Sequence, residues 1–231
     1  VFMIFKNVEI IEGSKKQNVD VRVAGGIICE IANHIETGSS EVIDGSGLLM
    51  VPGLIDLDMQ FNNSVENITT LKKRAVKGGV TTMLTKPYMS PLLESESTLH
   101  YFQSKNKTNA GSELLYLATS VQKESQTQLS EQATLYANGA SGVHLYSDMN
   151  SNVLRRSYEY AVMAKKPLFM TCRNEAIEAN GIMAEGEISA RLGLPGICTL
   201  SEVSEIAKIG SYVSEYQVPT VIANIFFERG R

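Results

Sequence analysis

The sequence predicts an α/β protein, in which a small β-sheet module precedes a parallel sheet whose strands are joined by helices. From residue 51 onward, apolar β-branched segments alternate with helical segments. Four of the five intervals between predicted strands are roughly 25 to 32 residues, the length of a strand–helix unit with a right-handed crossover. Hydrophobic residues make up 43% of the 231 residues and charged residues 20%, which is an ordinary globular composition.

The first fifty residues predict the β module. Residues 2–11 are mostly apolar, and residues 19–23 alternate strictly between valine and charged residues, as a half-buried strand does. The turn Ala24-Gly25-Gly26 joins that strand to residues 27–31, which we expect to complete a hairpin. We assign residues 1–52 to this module.

The rest of the chain predicts six strands and their helices. The first strand covers 54–60 and precedes a helix over 65–77, which ends at Gly78-Gly79 because glycine favours helix C-termini. The second strand covers 81–87 and precedes a helix over 92–105. The same alternation predicts strands over 113–120, 142–147, 167–172 and 219–224, and helices over 129–138, 153–165 and 200–216.

Such a series forms a parallel sheet that is either doubly wound or closed as a barrel. A closed eight-stranded barrel usually needs about 250 residues, and fewer than that follow residue 53. Six strands fit, and the sequence stops directly after the sixth. We therefore expect this chain to be part of a longer polypeptide.

Charge and hydropathy argue against several classes of protein. The net charge is −4 and the pI is near 5.5, without a lysine and arginine cluster, so nucleic acid is not the expected partner. No apolar run reaches the ~20 residues that a membrane span requires. Lys6 follows only five apolar residues, too few for a signal-peptide core, which predicts a cytoplasmic protein. The cysteines form no CxxC pair, and the three histidines lack metal-ligand spacing.

Three segments resemble motifs of one enzyme superfamily. Val51–Leu57 resembles the PG[FL][IV]D segment that opens the barrel of amidohydrolases, and Gly78–Thr82 resembles the GG[FV]TT that introduces their second strand. Glu185–Gly196 closely resembles a segment that follows the fifth strand of dihydroorotases. Because the three occur in order at compatible spacing, the chain resembles the dihydroorotases over nearly its whole length.

The resemblance implies a distorted (β/α)₈ barrel of the TIM type with a small β-sandwich. Six of the eight strands would lie in residues 53–231, so that the barrel is incomplete at the C-terminus, and residues 1–52 would form part of the sandwich. The implied reaction is the reversible ring closure of carbamoyl aspartate to dihydroorotate in pyrimidine biosynthesis, with zinc activating a water. The resemblance also implies metal ligands in an HxH on strand one, an Asp on strand four in one subgroup, and histidines on strands five and six.

Every family metal or substrate position that can be checked holds a different residue here. The HxH tripeptide is Asp58-Met59-Gln60, and the substrate-binding Arg and Asn of the family match Asn62 and Tyr88. The strand-four Asp aligns with Ser147, although a slip of one residue would align it with Asp148. The degenerate positions are Asp58, Gln60, Asn62, Tyr88, Ser147, Thr171 and Asn224.

These replacements predict that the family chemistry is lost. Amide and hydroxyl oxygens are weak ligands for zinc, and without a metal no water acquires a low pKa. Without the Arg there is no bidentate clamp for a carboxylate. We therefore predict no catalytic residue, no metal site and no cofactor. The resemblance then implies a non-catalytic structural partner of aspartate transcarbamoylase, in a homo- or hetero-oligomer.

Two alternatives remain open. Asp58, Asp148 and Glu175 could surround the mouth of the barrel and take a metal, giving an active cyclic amidohydrolase of the dihydroorotase or hydantoinase kind with a rebuilt site. The last two carboxylates could equally cap helices. Otherwise Tyr88, Asn62 and Gln60 could line a neutral polar pocket in a ligand-binding barrel, where a Lys86 side chain that pointed into the mouth could hold an anion.

Overall fold

The computed structural model describes residues 2–62, 67–106, 111–122, 125 and 127–226. The chain divides into two compact units, residues 1–53 and residues 54–231. No helix in the described part of the chain combines the length and hydropathy that a membrane crossing requires.

The first unit is a four-stranded sheet in the order β3-β2-β1-β4. A hairpin turn with Gly13 at φ +64° joins its first two strands, and the fourth strand runs parallel to the first. Three buried valines, Val8, Val19 and Val21, form a cluster in its core, and Ile4 and Ile35 are also buried. The strands are β1 (Phe2–Glu12), β2 (Lys15–Ala24), β3 (Ile27–Ala32) and β4 (Glu41–Asp44).

A buried carboxylate, Asp20, ties this sheet to the segment after β3. Its Oδ2 accepts hydrogen bonds from Lys6 Nζ at 2.7 Å and Ile35 N at 2.9 Å, and its Oδ1 accepts one from Asn7 N at 3.0 Å. Burial raises the pKa of Asp20, but these hydrogen bonds outweigh it and hold the pKa at about 2. Asp20 is therefore an ionised structural anchor.

The second unit confirms the predicted α/β barrel. Its six parallel strands follow the order β12-β9-β8-β7-β6-β5 and curve into a nearly closed barrel. The predicted strands match within a few residues at each end, as expected for boundaries read from sequence. These strands are β5 (Leu54–Met59), β6 (Val80–Thr85), β7 (Glu113–Thr119), β8 (Gly142–Tyr146), β9 (Leu168–Thr171) and β12 (Thr220–Ala223).

Five helices cross between these strands, and local side-chain and backbone features set their ends. Asn67 begins the first by accepting a hydrogen bond from Thr70 N at 2.8 Å, whereas Lys165 and Gln217 end two others in the left-handed conformation. The crossover helices are α1 (Ile68–Lys77), α2 (Glu96–Lys105), α3 (Gln132–Ala137), α4 (Ser151–Ala164) and α7 (Thr199–Tyr216).

The long segment between β9 and α7 contains short elements that the sequence analysis did not predict. One short helix precedes a two-stranded parallel sheet in which Met183 pairs with Gly196, and a second helix connects the two strands. The elements are α5 (Glu175–Glu178), β10 (Met183–Ala184), α6 (Glu187–Leu192) and β11 (Gly196–Ile197).

Alternation along the barrel strands separates two packed faces. Val143 and Leu145 belong to the large core beneath the helices, so His144, which lies between them, faces the barrel interior. A second buried cluster of Leu84, Leu117 and Phe169 lies in that interior. The next inward-facing residues towards the carboxyl ends of the strands are polar: Lys86, Thr119, His144 and Thr171.

Two strands pair on one side only within the described chain. These are β5 and β12, and the cavity of about 630 Å³ between them is lined by both strands. Apolar side chains of β5 are exposed there, with Leu54 at 60% and Ile55 at 63%. Asp58 and Asn224 lie at the same opening.

Candidate functional site at the barrel mouth

The carboxyl ends of β5 to β9 and β12, here called the mouth, bring polar side chains together. In α/β barrels this end of the strands carries the active site. At the mouth, Lys86 Nζ lies 2.9 Å from Asp58 Oδ1. The Lys86 side chain is 13% exposed and that of Asp58 is 32% exposed. The carboxylate of Asp58, which the sequence analysis predicts to occupy the family's first ligand position, is thus paired with a cation.

A hydrogen-bonded chain of three side chains crosses the mouth beside this ion pair. The Tyr88 hydroxyl is hydrogen-bonded to His144 Nδ1 at 2.9 Å, and His144 Nε2 is hydrogen-bonded to the Thr171 hydroxyl at 3.0 Å. His144 is only 1% exposed. Both of its ring nitrogens therefore have partners, which join the loop after β6 to β8 and β9.

Burial keeps the His144 ring uncharged. It lowers the pKa of His144 to about 4, with the Lys86 cation acting in the same direction and the Asp58 carboxylate partly opposing both. At neutral pH one ring nitrogen carries a proton and donates, while the other accepts.

Aromatic rings extend the site outward from His144. Tyr88 and Tyr146 stack with their ring centroids 5.8 Å apart, and the Arg173 guanidinium carbon lies 4.6 Å from the Tyr146 centroid. Burial, reinforced by Tyr146, raises the pKa of Tyr88, so its phenol stays protonated. A cavity of about 290 Å³ adjoins these rings, and Thr119, Ser120 and Met149 help to line it.

The other predicted positions lie outside this hydrogen-bonded chain. Ser147 is fully buried, and its hydroxyl donates to Arg173 O and accepts from Arg173 N, each at 3.0 Å. It therefore fastens the ends of β8 and β9 together. Gln60, Asn62 and Asn224 are exposed, and Asn224 has a left-handed backbone with φ +58°.

The carboxylates considered for a rebuilt metal site have other roles. Asp148 Oδ2 accepts a hydrogen bond from Glu175 N at 3.1 Å, at the start of α5, and therefore caps that helix. Within the described ranges, no three His, Cys, Asp or Glu side chains are grouped so that they could hold a metal ion. The mouth offers a carboxylate that is paired with a cation, an imidazole whose two nitrogens are both hydrogen-bonded, and a hydroxyl. This set does not provide the three or four free ligands that zinc takes.

Sequence analysis missed the residue at the centre of this cluster. His144 was one of three histidines without ligand spacing, and Tyr146 and Arg173 were not singled out. One signal was available, because Val143 and Leu145 are apolar and alternation then directs His144 to the opposite face of the strand. The hydrogen-bond partners of His144 could not be inferred from the sequence, because Tyr88 lies 56 residues away along the chain.

Comparison with known proteins places these positions in context. The sequence model of the Dihydro-orotase-like family matches residues 47–212. The chain is 27% identical over 214 residues to the dihydroorotase of Pediococcus pentosaceus, covering 89% of this chain and 50% of that protein. It is 30% identical over 220 residues to the dihydroorotase of Ruminiclostridium cellulolyticum, covering 91% and 51% respectively. The chain thus spans about half the length of the curated relatives it matches.

Solved structures share the fold. The dihydropyrimidinase of Brevibacillus agri superimposes with a TM-score of 0.76 at 14% identity, covering 100% of this chain and 53% of that one. A D-hydantoinase gives a TM-score of 0.78 at 14% identity with the same coverage. A dihydroorotase gives 0.58 at 10% identity, covering 93% of this chain and 63% of that one.

Proposed function

Because the chain belongs to the Dihydro-orotase-like family, we propose that it is a non-catalytic dihydroorotase-like protein of pyrimidine biosynthesis. In this proposal it has lost its metal ligands and substrate-binding residues. It acts in the cytoplasm as a structural partner of aspartate transcarbamoylase.

The observation that carries this proposal is the internal pairing of the polar groups at the mouth. A zinc ion at this place would have to displace Lys86 from Asp58 and break a hydrogen bond of His144. The hydroxyl and amide groups at the remaining family positions would bind zinc only weakly, because zinc prefers imidazole, thiolate and carboxylate.

The same pairing engages the ionisable side chains at the mouth in the part of the chain that the structure describes. The neutral His144 is held between two hydroxyls, and Lys86 neutralises the carboxylate of Asp58. A general base must reach the proton that it abstracts, and both groups are already engaged with their neighbours. Their evident effect is to cross-link β5, β6, β8 and β9 at the mouth.

Exposed apolar side chains between β9 and α7 support a role in protein association. Ile188 and Leu192 lie four residues apart on α6, hence on one face, and are 58% and 57% exposed. Ile182 in the same segment is 66% exposed. Exposed apolar patches mark interaction sites more often than isolated apolar residues do.

Metal content and co-purification together test the proposal. Protein purified without chelator and then supplied with zinc should bind far less than one zinc per chain and should not turn over dihydroorotate. It should co-elute with the aspartate transcarbamoylase of its own organism in size-exclusion chromatography. Stoichiometric zinc, with turnover that Asp58→Ala abolishes, would instead establish a rebuilt hydrolase. Failure to co-elute would refute the partnership.

A further inference from the structure

The short helix α6 has most of its surface exposed. Of its six residues only Ser189 is buried, and the other five are exposed. Helices in proteins gain most of their stability by packing an apolar face, and a helix of this length is marginal by itself. A helix that buries a single serine therefore takes little part in the core of its own chain, and its outer surface is available to another one.

Hydrogen bonds at both ends nevertheless hold α6 in a fixed place. At the N-terminus the Ser189 hydroxyl accepts from Gly186 N at 2.9 Å and donates to Gly186 O at 2.8 Å. At the C-terminus Leu194 N donates to Ser189 O at 3.0 Å, and Gly193 has the left-handed conformation that ends helices. A surface that is already ordered loses little freedom when another protein binds to it.

Two stripes of side chains run along the exposed surface of α6. Ile188 and Leu192, four residues apart, form an apolar stripe and are 58% and 57% exposed. Glu187 and Arg191, also four residues apart and both exposed, form a charged stripe beside it. Within the described ranges neither of these two charged side chains makes an ion pair. The surface thus combines an uncovered apolar stripe with one free negative and one free positive charge.

These stripes are complementary to themselves in an antiparallel arrangement. A two-fold axis near the middle of the helix sets Ile188 of each copy against Leu192 of the other, because a two-fold interface uses the same residues on both sides. The same axis sets Glu187 of each copy against Arg191 of the other. The apolar stripes then cover each other, and an opposite charge faces each charged side chain.

Other charges and other arrangements fit this match. In the antiparallel register Glu185, which precedes α6, lies opposite the uncharged residues 193–195 of the second copy and meets no like charge. A parallel arrangement would instead set Glu187 against Glu187 and Arg191 against Arg191, which is unfavourable. The order of the two charges along the helix therefore selects the antiparallel pair.

We infer that α6 is a contact surface between two copies of this chain, packed antiparallel about a two-fold axis. Ile188 and Leu192 form the apolar centre of the contact, and the pairs of Glu187 with Arg191 lie at its rim. Because exposed ion pairs contribute little affinity, the apolar stripe supplies most of the attraction and the charges fix the register. This interface goes beyond the proposed partnership and uses no residue of the mouth.

Sedimentation velocity over a range of concentrations tests the inference on the full chain. The unmodified chain should form a dimer with a Kd below about 100 µM. Ile188→Ser should raise this Kd at least about tenfold, because the dimer loses the same apolar contact twice. Val162→Ser, at an aliphatic side chain on α4 that is 47% exposed, is the matched control and should leave the Kd within about twofold.

Exchange of charges tests the register. Glu187→Arg sets like charges against each other at both ends of the contact, and Arg191→Glu does the same, so each variant alone should dimerise at least about tenfold more weakly. An equimolar mixture of the two variants restores opposite charges at both ends and should form a heterodimer with a Kd within about threefold of the original value. An ion pair within one helix could not give this rescue, because mixing leaves it unchanged.

Three outcomes would overturn the inference: a monomer at about 100 µM, a dimer that Ile188→Ser leaves unchanged, or no heterodimer in the mixture. If Ile188→Ser fails to fold, the mixture of the two charge variants decides. None of these measurements uses aspartate transcarbamoylase, so this inference and the proposed partnership can fail separately.

Discussion

At the scale of single residues, burial decides the chemistry of the mouth. His144 would titrate near pH 6.5 in water, but its enclosed position beside Lys86 lowers its pKa to about 4. The ring is therefore a neutral hydrogen-bonding bridge and not a cation at neutral pH. A histidine that the sequence leaves unremarkable becomes the residue that joins Tyr88 to Thr171.

The lowered pKa of His144 predicts how stability depends on pH. The unfolded chain takes up a proton at this residue near pH 6.5, whereas the folded chain does so only near pH 4, so stability falls as the pH falls between these values. The loss attributable to His144 should approach about 3 kcal/mol, since one pKa unit corresponds to about 1.4 kcal/mol.

Urea denaturation from pH 7 to pH 4 measures this loss. His144→Gln keeps a polar side chain that does not titrate, so it should flatten the pH dependence in this window. His100→Gln serves as the control, since His100 is an exposed histidine on α2. An unchanged slope in His144→Gln would show that another group causes the acid sensitivity.

At the scale of elements, strand alternation places both the core and the site. On β8, Val143 and Leu145 pack beneath the helices, whereas Gly142 and His144 face the interior. Gly142 is needed because the ring of Phe169 on β9 approaches it closely. A Cβ at residue 142 would lie 2.9 Å from that ring, closer than real Cβ atoms approach. Gly142 and Phe169 are thus tightly packed against each other.

This close approach predicts that Gly142→Ala destabilises the barrel. The added methyl group forces Phe169 and its neighbours to shift, and overpacking of this kind costs about 1–3 kcal/mol. Chemical denaturation should show a lower midpoint with an unchanged slope.

Gly210→Ala is the matched control, since nothing lies within 4 Å of a Cβ at that helical position. It should leave stability unchanged or raise it by up to about 1 kcal/mol, because alanine favours helices more than glycine does. Equal effects of the two substitutions would contradict the packing argument.

At the scale of the whole molecule, the two units differ in the interactions that stabilise each of them. The second unit has a large continuous core, whereas the first has only a few buried apolar side chains and the Asp20 anchor. A sheet with so small a core depends strongly on its polar anchor. Asp20 satisfies Lys6 and two backbone N–H groups at once.

Asp20→Ala should therefore destabilise the first unit by about 3 kcal/mol, because it leaves buried donors without an acceptor. In the native chain the contribution of Asp20 is fully present above pH 3.8 and is lost as the pH falls towards 2. Amide hydrogen exchange resolved by residue should show the loss in residues 2–53. Asp44→Ala, at an exposed carboxylate in the same unit, should cost less than about 1 kcal/mol. Equal protection of the amides from exchange in the two variants would show that Asp20 does not anchor the sheet.

The sequence by itself determined the α/β class, the order of the six strands and their crossover helices along the chain, and the motifs that indicate the family. These features lie in periodicity and in short motifs, which depend on neighbours along the chain. Only the tertiary structure decided which polar side chains meet at the mouth. The pairing of Lys86 with Asp58, the contact of His144 with Tyr88 and the position of Arg173 over Tyr146 join residues on different strands. Such contacts depend on strand register and barrel curvature, which arise from packing across the whole sheet and leave no local pattern in the sequence.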